Sequence, residues 1–288
     1  MKKVLLIGSA TTDVTMEIDH LPGIEDDINP KSQILSLGGC ACNVAWVLNH
    51  FGVPFTLASP VGKGLYGDFV RNELNKRNIS VWKESKEVNG SCICLITEDG
   101  NRTFLAYHGA EYHFKKEWFD CLDVSEYELA YVSGIDIEEE VNDCIIDFLE
   151  ESKLPFVFAC GPRIKYLEKE RLNRLLKLNP ILHLNKKEAM CLTDDNDLLD
   201  GLYKLNHNIV IITDGANGTY AYDGREKIFV SALNVKQIDG TGAGDSHIGT
   251  VIASMMQGIS LEEALKKANE VASKVIGVKG PVLPEELF

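Results

Sequence analysis

The chain has 288 residues, of which 45% are hydrophobic and 25% charged, with 24 glycines and 9 prolines. This composition is typical of a globular protein and excludes disordered, collagen-like and low-complexity chains. Asp and Glu number 43 and Lys and Arg 29, so the formal net charge is −14. Such a charge opposes binding to nucleic acid or to an anionic membrane surface, and no apolar run approaches the ~18 residues of a membrane span.

The eight cysteines are scattered along the chain, and none of them forms a Cys-x-x-Cys motif. This pattern indicates reduced thiols and a cytoplasmic protein rather than a disulfide framework. Two Cys-x-Cys pairs, Cys40/Cys42 and Cys92/Cys94, leave a four-thiolate metal site as the alternative, although the usual ligand spacing is wider.

Short apolar runs predict strands, and several of them are apolar on both faces, as in a parallel sheet covered by helices. In chain order, strands are predicted over residues 4–7, 55–60, 92–97, 103–107, 129–132, 156–159, 181–184, 209–213 and 218–222. Helices are predicted over residues 43–50, 67–77, 138–152, 168–178, 185–193, 246–257 and 261–276. The acidic run at 194–197 is interpreted as a solvated loop rather than a metal site.

Strands and helices alternate from about residue 120 onward, which predicts βαβ units. Residues 12–37 and 88–111 instead contain short strands separated by turn residues. We therefore expect a single α/β domain over residues 1–288, with a doubly wound, mostly parallel sheet covered by helices. The two exceptional segments are predicted to form a small β-sheet lid inserted into it.

The most informative segment, residues 239–245, reads Asp-Gly-Thr-Gly-Ala-Gly-Asp and precedes an apolar helix. Glycines at a helix N-terminus let backbone N–H groups approach an anion, with the helix dipole behind them. Asp245 at the N-terminus of this helix can be interpreted in two ways, as an ordinary N-cap or as a general base beside a phosphoryl group. The spacing alone leaves both open.

A second glycine-rich segment, residues 62–67, reads Gly-Lys-Gly-Leu-Tyr-Gly, which is a literal dinucleotide-binding fingerprint. We reject NAD binding because the motif follows the second or third strand. An acidic residue about 20 positions on, here Glu84 or Glu87, also arises easily by chance in so acidic a chain.

Two signatures together resemble the ribokinase-like (PfkB) carbohydrate kinase family. The segment at 239–245 is similar to its C-terminal signature, and residues 39–45, Gly-Cys-Ala-Cys-Asn-Val-Ala followed by Gly52, are similar to its N-terminal one. The resemblance runs from about residue 3 to 280. It implies a ribokinase-like fold and an ATP-dependent kinase that phosphorylates a hydroxyl of a small sugar. A nucleoside kinase of the same fold and a catalytically silent binding regulator are the alternatives.

The resemblance also implies roles for residues around the reacting groups. Asp245 would accept the proton of the acceptor hydroxyl, and the backbone of Gly242, Ala243 and Gly244 would form an anion hole. Substrate hydroxyls would be bound by three further residues, which are Asp13, Gly39 and Asn43. The alternative interpretation is that Asp13 is buried and caps a turn.

Arg163 is a candidate ligand contact because of its position and not because of the resemblance. It follows a predicted core strand at its carboxyl end, where ligands bind in open α/β sheets. It would contact a phosphate or a substrate carboxylate, and an exposed surface arginine is the equal alternative.

For the nucleotide and cations, the resemblance implies a second set of residues. Asn185 and Glu188, three apart on one helical face, would hold hydrated Mg²⁺, although Asn185 alone reads as an N-cap. Asp239, together with backbone carbonyls of residues 275–280, would contact a monovalent cation such as K⁺. The residues implied for the nucleotide itself are Thr213, Gly215, Gly218, Asn269 and Ala272.

Three positions depart from the family pattern. Gly64 replaces an Asp, Gly240 replaces a Thr or similar residue, and Cys40 stands where some relatives have Lys or Ser. The roles of Cys40, His108 and His247 stay open. Members often pair through the lid, so the resemblance also implies a homodimer.

Overall fold

We describe the fold from a computed structural model, over residues 1–278 and 280. Within these residues the chain forms fourteen strands and eight α-helices. The strands are β1 (Lys3–Ile7), β2 (Thr11–Ile18), β3 (Ser32–Gly38), β4 (Phe55–Ala58), β5 (Pro60–Lys63), β6 (Lys83–Val88), β7 (Ser91–Thr97), β8 (Arg102–Tyr107), β9 (Tyr127–Ser133), β10 (Phe156–Ala159), β11 (Ile181–Asn185), β12 (Val210–Thr213), β13 (Thr219–Tyr222) and β14 (Lys227–Val230). The helices are α1 (Cys40–His50), α2 (Gly64–Lys76), α3 (Asp143–Ser152), α4 (Lys169–Leu176), α5 (Lys186–Leu192), α6 (Leu198–Asn206), α7 (Ala243–Met256) and α8 (Leu261–Ile276).

The chain divides into two compact units, and the first contains residues 1–8, 40–58 and those from Phe114 onward. Its eight-stranded sheet has the order β14-β13-β12-β11-β10-β9-β1-β4. The six strands from β12 to β4 are parallel, and β13 and β14 are antiparallel to their neighbours. The predicted α/β class with a mostly parallel sheet is therefore confirmed.

Burial on both faces explains why the core strands are apolar runs. The four residues Val4, Leu5, Leu6 and Ile7 of β1 are each 0% exposed. Helix α7 packs against both α1 and α8 in the same unit. At Gly249 of α7 a Cβ atom would lie 2.9 Å from Val47 Cβ of α1, so the absence of a side chain there lets the two helices approach closely.

The second unit contains Ser9–Gly39 and Ser59–His113. It holds a four-stranded sheet in the order β3-β2-β7-β8, a two-stranded sheet of β5 and β6, and helix α2. The β2–β7 pair is parallel and its neighbours pair antiparallel. The segments 12–37 and 88–111 both belong to this unit, which also includes residues 59–87.

The observed elements differ from the predicted ones at several places. Strands β6 and β14 were not among the predicted strands, and helices α1, α2 and α7 begin three residues earlier than predicted. The run at 55–60 divides at Ser59 into β4 and β5, and the Ser59 hydroxyl accepts the Ala10 N–H at 2.8 Å. The helix predicted from residue 138 begins at Asp143, because short 3-10 turns precede it and Asn142 donates to the Asp136 carbonyl. The acidic loop ends in an N-cap, Asp197, for a helix (α6) that the pattern did not predict.

Two glycines of the G-x-G-x-x-G segment, Gly62 and Gly67, have packing roles in the second unit. A Cβ at Gly67 would lie 2.1 Å from the Gly62 carbonyl oxygen, and a Cβ at Gly62 would lie 2.6 Å from the Asn89 backbone nitrogen. Strand β5 belongs to the two-stranded sheet and not to the large parallel one. Close backbone approach thus explains Gly62 and Gly67.

Within the described residues, no helix is both long and apolar enough to cross a membrane. All eight cysteines lie in the described part of the chain, and none forms a disulfide.

Candidate active site

The N-terminus of α7 is open and uncapped. Gly242 occupies the N-cap position with φ 73°, a left-handed conformation that glycine adopts without steric cost, and within the described residues no side-chain hydrogen bond caps this end. The first N–H groups of a helix have no intrahelical acceptor, so they are available to an anion. A Cβ at Gly244 would meet nothing within 4 Å, so there is room beside this turn for a ligand. The backbone at 242–244 therefore has the form of an anion cradle.

Asp245 lies in the first turn of α7 and is fixed by α1. Asn43, which is buried on α1, donates its Nδ2–H to Asp245 Oδ2 at 2.8 Å. Burial raises the pKa of Asp245 to about 6, against the opposing hydrogen bonds from Asn43 and Cys40, and the charge of Asp136 raises it further. A carboxylate with this pKa is largely ionised at neutral pH and can still accept a proton.

A polar cluster formed by Cys40, Ser133 and Asp136 lies close to Asp245. Ser133 donates its hydroxyl to Asp136 Oδ2 at 2.6 Å, and Asp136 is fully buried. Burial, followed by the charges of Asp245 and Asp136, raises the pKa of the Cys40 thiol well above its usual range. Cys40 is therefore a neutral thiol at physiological pH. Sequence reasoning did not single out Ser133 or Asp136, although both follow the predicted strand at 129–132, at its carboxyl end.

The nucleotide-loop residues lie after β12. Thr213 ends that strand, and the Asp214 N–H donates to the Gly218 carbonyl oxygen at 2.8 Å to close the loop. Gly215 has φ 53° and open space around its Cα. Gly218 has φ 116°, and a Cβ there would lie 2.2 Å from the Val230 carbonyl oxygen, so only glycine fits.

Asn185 and Glu188 form a reciprocal capping box at the start of α5. Asn185 Oδ1 accepts the Glu188 N–H, and Glu188 Oε2 accepts the Asn185 N–H, each at 3.0 Å. Burial raises the pKa of Glu188, and hydrogen bonds from Asn185 and Gly161 oppose that shift. Carboxylate and amide oxygens are the donor types that Mg²⁺ accepts, usually through water, so this pair fits the predicted ion. The described residues contain no group of three or more His, Cys, Asp or Glu side chains that could hold a metal directly.

Asn269 and Ala272 lie one turn apart on α8. Asn269 is 9% exposed, and its Nδ2 group donates to the carbonyl oxygens of Val230 and Ser231, each at 3.2 Å. Its Oδ1 accepts the Thr219 hydroxyl at 2.8 Å. The Asn269 amide is thus engaged by protein groups, and Ala272 is partly exposed.

Arg163 forms an ion pair with Glu138, whose Oε2 lies 2.6 Å from Arg163 Nε, and its guanidinium lies 5.0 Å from the Tyr166 ring centroid.

Asp239 is buried, and its carboxylate accepts the backbone N–H of Thr241 at 2.7 Å and that of Gly280 at 3.1 Å. Of the carbonyls predicted to share a cation with Asp239, that of residue 279 lies outside the described residues.

Asp13 and Gly39 belong to the second unit. Asp13 lies on β2 opposite Ser36 and Cys92, and its carboxylate packs against Gly38, where a Cβ would lie 2.2 Å from Asp13 Oδ2. Gly39 has φ 99°. In the same unit His108 stacks on Tyr112, with ring centroids 4.0 Å apart. The structure thus brings Asn43, Asp245 and the 242–244 backbone together in the first unit.

Comparison with known proteins places these features in a family. The family model for the pfkB family carbohydrate kinases matches residues 1–286. The uncharacterized sugar kinase YegV of Escherichia coli is 30% identical over 289 residues, which cover 97% of this chain and 90% of that protein. The structure of Arabidopsis thaliana ribokinase with ribose and ATP superimposes with a TM-score of 0.83 at 20% identity, covering 99% of this chain and 97% of that one. A putative ribokinase II from E. coli, in complex with ATP and Mg²⁺, gives a TM-score of 0.82 at 20% identity, with coverages of 98% and 94%.

Proposed function

The chain belongs to the PfkB family of carbohydrate kinases and is a phosphotransferase with an alcohol group as acceptor, and we propose that it transfers the γ-phosphoryl group of ATP to a hydroxyl of a small sugar. One observation carries the proposal, namely that Asn43 holds the Asp245 carboxylate, with a pKa of about 6, at an uncapped glycine-rich helix N-terminus. A general base and an anion cradle are the two elements that phosphoryl transfer to an alcohol requires.

In the proposed reaction, Asp245 accepts the proton of the acceptor hydroxyl while the hydroxyl oxygen forms a bond to the γ-phosphorus. The bond between that phosphorus and the β,γ-bridging oxygen breaks, and ADP leaves with the electron pair. The backbone N–H groups of Gly242, Ala243 and Gly244 stabilise the charge that develops on the transferred group. Asn43 keeps the carboxylate aligned with the hydroxyl.

The remaining predicted residues complete the assignment. We assign the nucleotide to the loop at 213–218 and to the exposed side of α8 at Ala272. Asn185 and Glu188 would hold hydrated Mg²⁺, which neutralises phosphate charge when bound with ATP. Asp13, Gly39 and Arg163 remain predicted acceptor contacts, and the monovalent-cation role of Asp239 is tested by comparing rates in K⁺ and in tetramethylammonium.

The acceptor is tested by measuring ADP release from Mg-ATP with a panel of neutral sugars, sugar acids and nucleosides. A neutral sugar that stimulates ADP release supports the proposal, whereas turnover with nucleosides alone would replace it with the nucleoside kinase alternative. ATP binding without turnover across the panel would favour a binding regulator.

The base is tested in the same assay with Asp245→Asn. We expect kcat to fall by about 10²–10⁴-fold, the usual contribution of a general base. Asp223→Asn is the matched control, because Asp223 accepts backbone N–H groups in a turn between β13 and β14. Equal turnover by wild type and Asp245→Asn would contradict the assignment.

A further inference from the structure

Two buried histidines of the first unit lie next to the predicted nucleotide residues and have no part in the proposed reaction. His183 on β11 is 5% exposed and His247 on α7 is 2% exposed. His183 Nε2 lies 3.0 Å from His247 Nδ1, and His247 Nε2 lies 3.2 Å from both Thr219 Oγ1 and Asn269 Oδ1. With Thr219 and Asn269 they form a network that joins four elements, β11, β13, α7 and α8.

The direction of every hydrogen bond in this network can be worked out from Asn269. Its Nδ2 group donates to two carbonyl oxygens, so its Oδ1 faces Thr219 and His247 and can only accept. The Thr219 hydroxyl donates to that oxygen at 2.8 Å. His247 therefore carries its proton on Nε2, and its Nδ1 accepts from the Nε2–H of His183.

Both histidines are therefore neutral, and a proton added to His247 Nδ1 would face the N–H of His183. This agrees with the pKa values, since burial lowers the pKa of His247 to about 4 and lowers that of His183 well below its usual range. Every ring nitrogen that faces the network thus has one defined role. A network with no alternative donor pattern fixes the relative positions of the elements that it joins.

Each member lies within a few residues of a residue predicted for the metal ion, the nucleotide or the anion hole. His183 is two residues before Asn185, Thr219 directly follows Gly218, and His247 is three residues after Gly244. Backbone hydrogen bonds also join β11, β12 and β13, and the N–H groups of Ile238 and Asp239 donate to the Ile276 carbonyl oxygen of α8. The network adds side-chain hydrogen bonds that connect α7, which carries the anion cradle, with β11, β13 and α8.

We infer that His183, Thr219 and His247 are positioning residues for the nucleotide site, which hold the cradle and the loop at the spacing that ATP requires. The inference rests on the proposed function for the location of the nucleotide. It does not depend on turnover, because nucleotide binding can be measured without an acceptor.

The test is the Kd of Mg-ATP by calorimetry for His247→Leu, His247→Gln and Thr219→Val. Loss of a directed hydrogen bond in a buried network is expected to weaken ATP binding about tenfold in His247→Leu and about threefold to tenfold in Thr219→Val. His247→Gln retains an amide donor and acceptor, and its Kd is expected to lie closer to that of the wild type. In the kinase assay KM for ATP rises in His247→Leu and Thr219→Val, while KM for the acceptor is unchanged.

Thr250→Val is the matched control, because Thr250 is buried on α7 and its hydroxyl donates to the Ser246 carbonyl oxygen of the same helix at 2.8 Å. It is expected to lower Tm and leave the Kd of ATP unchanged. If His247→Leu and Thr219→Val do the same, the network is merely structural and the inference is overturned. Wild type that binds ATP but has no kinase activity would contradict the proposed function alone, whereas wild type that binds no ATP would overturn both.

Discussion

As the proposed general base, Asp245 meets two opposed requirements. Its carboxylate must be ionised to accept a proton, yet burial disfavours the ionised form and raises its pKa to about 6. The hydrogen bond from Asn43 offsets part of that burial cost. The residue is therefore tuned close to physiological pH, where a general base is most effective.

This pKa predicts the acid limb of the rate profile. Below about pH 6 the carboxyl group of Asp245 is protonated, so kcat/KM is expected to fall about tenfold per pH unit. The measurement is kcat/KM for the acceptor from pH 4.5 to 8 at saturating Mg-ATP. A profile that stays flat down to pH 5 would contradict the assignment of Asp245 as the base.

The same pKa predicts that the base destabilises the fold. The folded state holds the Asp245 proton up to about pH 6 and the unfolded state only to about 3.8, so this group's contribution to the free energy of unfolding falls as pH rises between those values. Asp245→Asn is expected to stabilise the protein at pH 8 by about 1–3 kcal/mol, a rise in Tm of several degrees.

The control for this prediction has the opposite sign. Backbone hydrogen bonds from Glu226 and Arg225 lower the pKa of Asp223, so its ionised form contributes stability above the unfolded pKa and loses it as the pH falls. Asp223→Asn should therefore lower Tm at pH 8. Melting curves for both variants at pH 8 and pH 4 are the measurement, and a lower Tm for Asp245→Asn at pH 8 would contradict the prediction.

Tyr131 on β9 carries a hydroxyl that has no hydrogen-bond partner among the described residues, although the side chain is fully buried. An unpaired buried hydroxyl costs about 1–3 kcal/mol. Tyr131→Phe is expected to raise the free energy of unfolding, as measured by urea denaturation. A loss of stability would instead reveal a buried water molecule on this hydroxyl.

At the scale of elements, glycine in the first turn of α7 lowers the stability of the helix and leaves the anion cradle accessible. Gly244 is less favourable than alanine in a helix, yet a side chain there would project into open space where we place the phosphoryl group. Gly244→Ala is expected to raise the free energy of unfolding by about 0.5–1 kcal/mol and to lower kcat. Equal activity of wild type and Gly244→Ala would show that the phosphoryl group does not bind beside this turn.

A companion variant separates the two effects. Gly242 has φ 73°, so Gly242→Ala is strained and should lose stability as well as activity. Thermal melting together with initial rates distinguishes the two variants.

The parallel core could be predicted because burial on both faces leaves apolar runs in the sequence, as at 4–7 and 156–159. Helix α6 was not predicted because Gly201 interrupts its pattern, and a Cβ at Gly201 would lie 2.4 Å from Thr193 Oγ1. The start of α3 depends on Asn142. Its side chain accepts a hydrogen bond from the backbone N–H of Phe114, which is distant in sequence, and donates one to the carbonyl oxygen of Asp136 in the adjoining turn. Such contacts have no local signal.

For the candidate site, sequence motifs predicted residues but not their partners. The resemblance to the two family signatures singled out Asp245 and Asn43 separately, and the structure adds the hydrogen bond between them. His183 lies inside an apolar strand with no motif, so its pairing with His247 becomes visible only once β11 and α7 are packed. Long-range polar pairing is the part that the sequence pattern could not reveal.

At the scale of the whole molecule, the net charge of −14 opposes self-association, while the edge of the four-stranded sheet favours it. Three residues of edge strand β8 are largely exposed, Phe104 at 55%, Leu105 at 56% and Tyr107 at 60%. Exposed apolar edge strands are sites of pairing with another chain. We predict a homodimer through this sheet.

The prediction is tested by sedimentation velocity at low and high salt. Because like charges repel across the interface, the dimer should become tighter as salt rises. Phe104→Lys is expected to give monomers, and Phe229→Lys, at a residue 55% exposed on β14, is the matched control. A monomer at every concentration and salt would rule the dimer out.

The position of β1 between β9 and the edge strand β4 has a consequence for the newly made chain. Val4 pairs on one side with Phe55 and on the other with Leu129. At typical rates of synthesis, the second partner emerges roughly 6–25 seconds after β1 does. During that interval the apolar strand has at least one unpaired edge, which slows completion of the fold and exposes the chain to misassembly during synthesis.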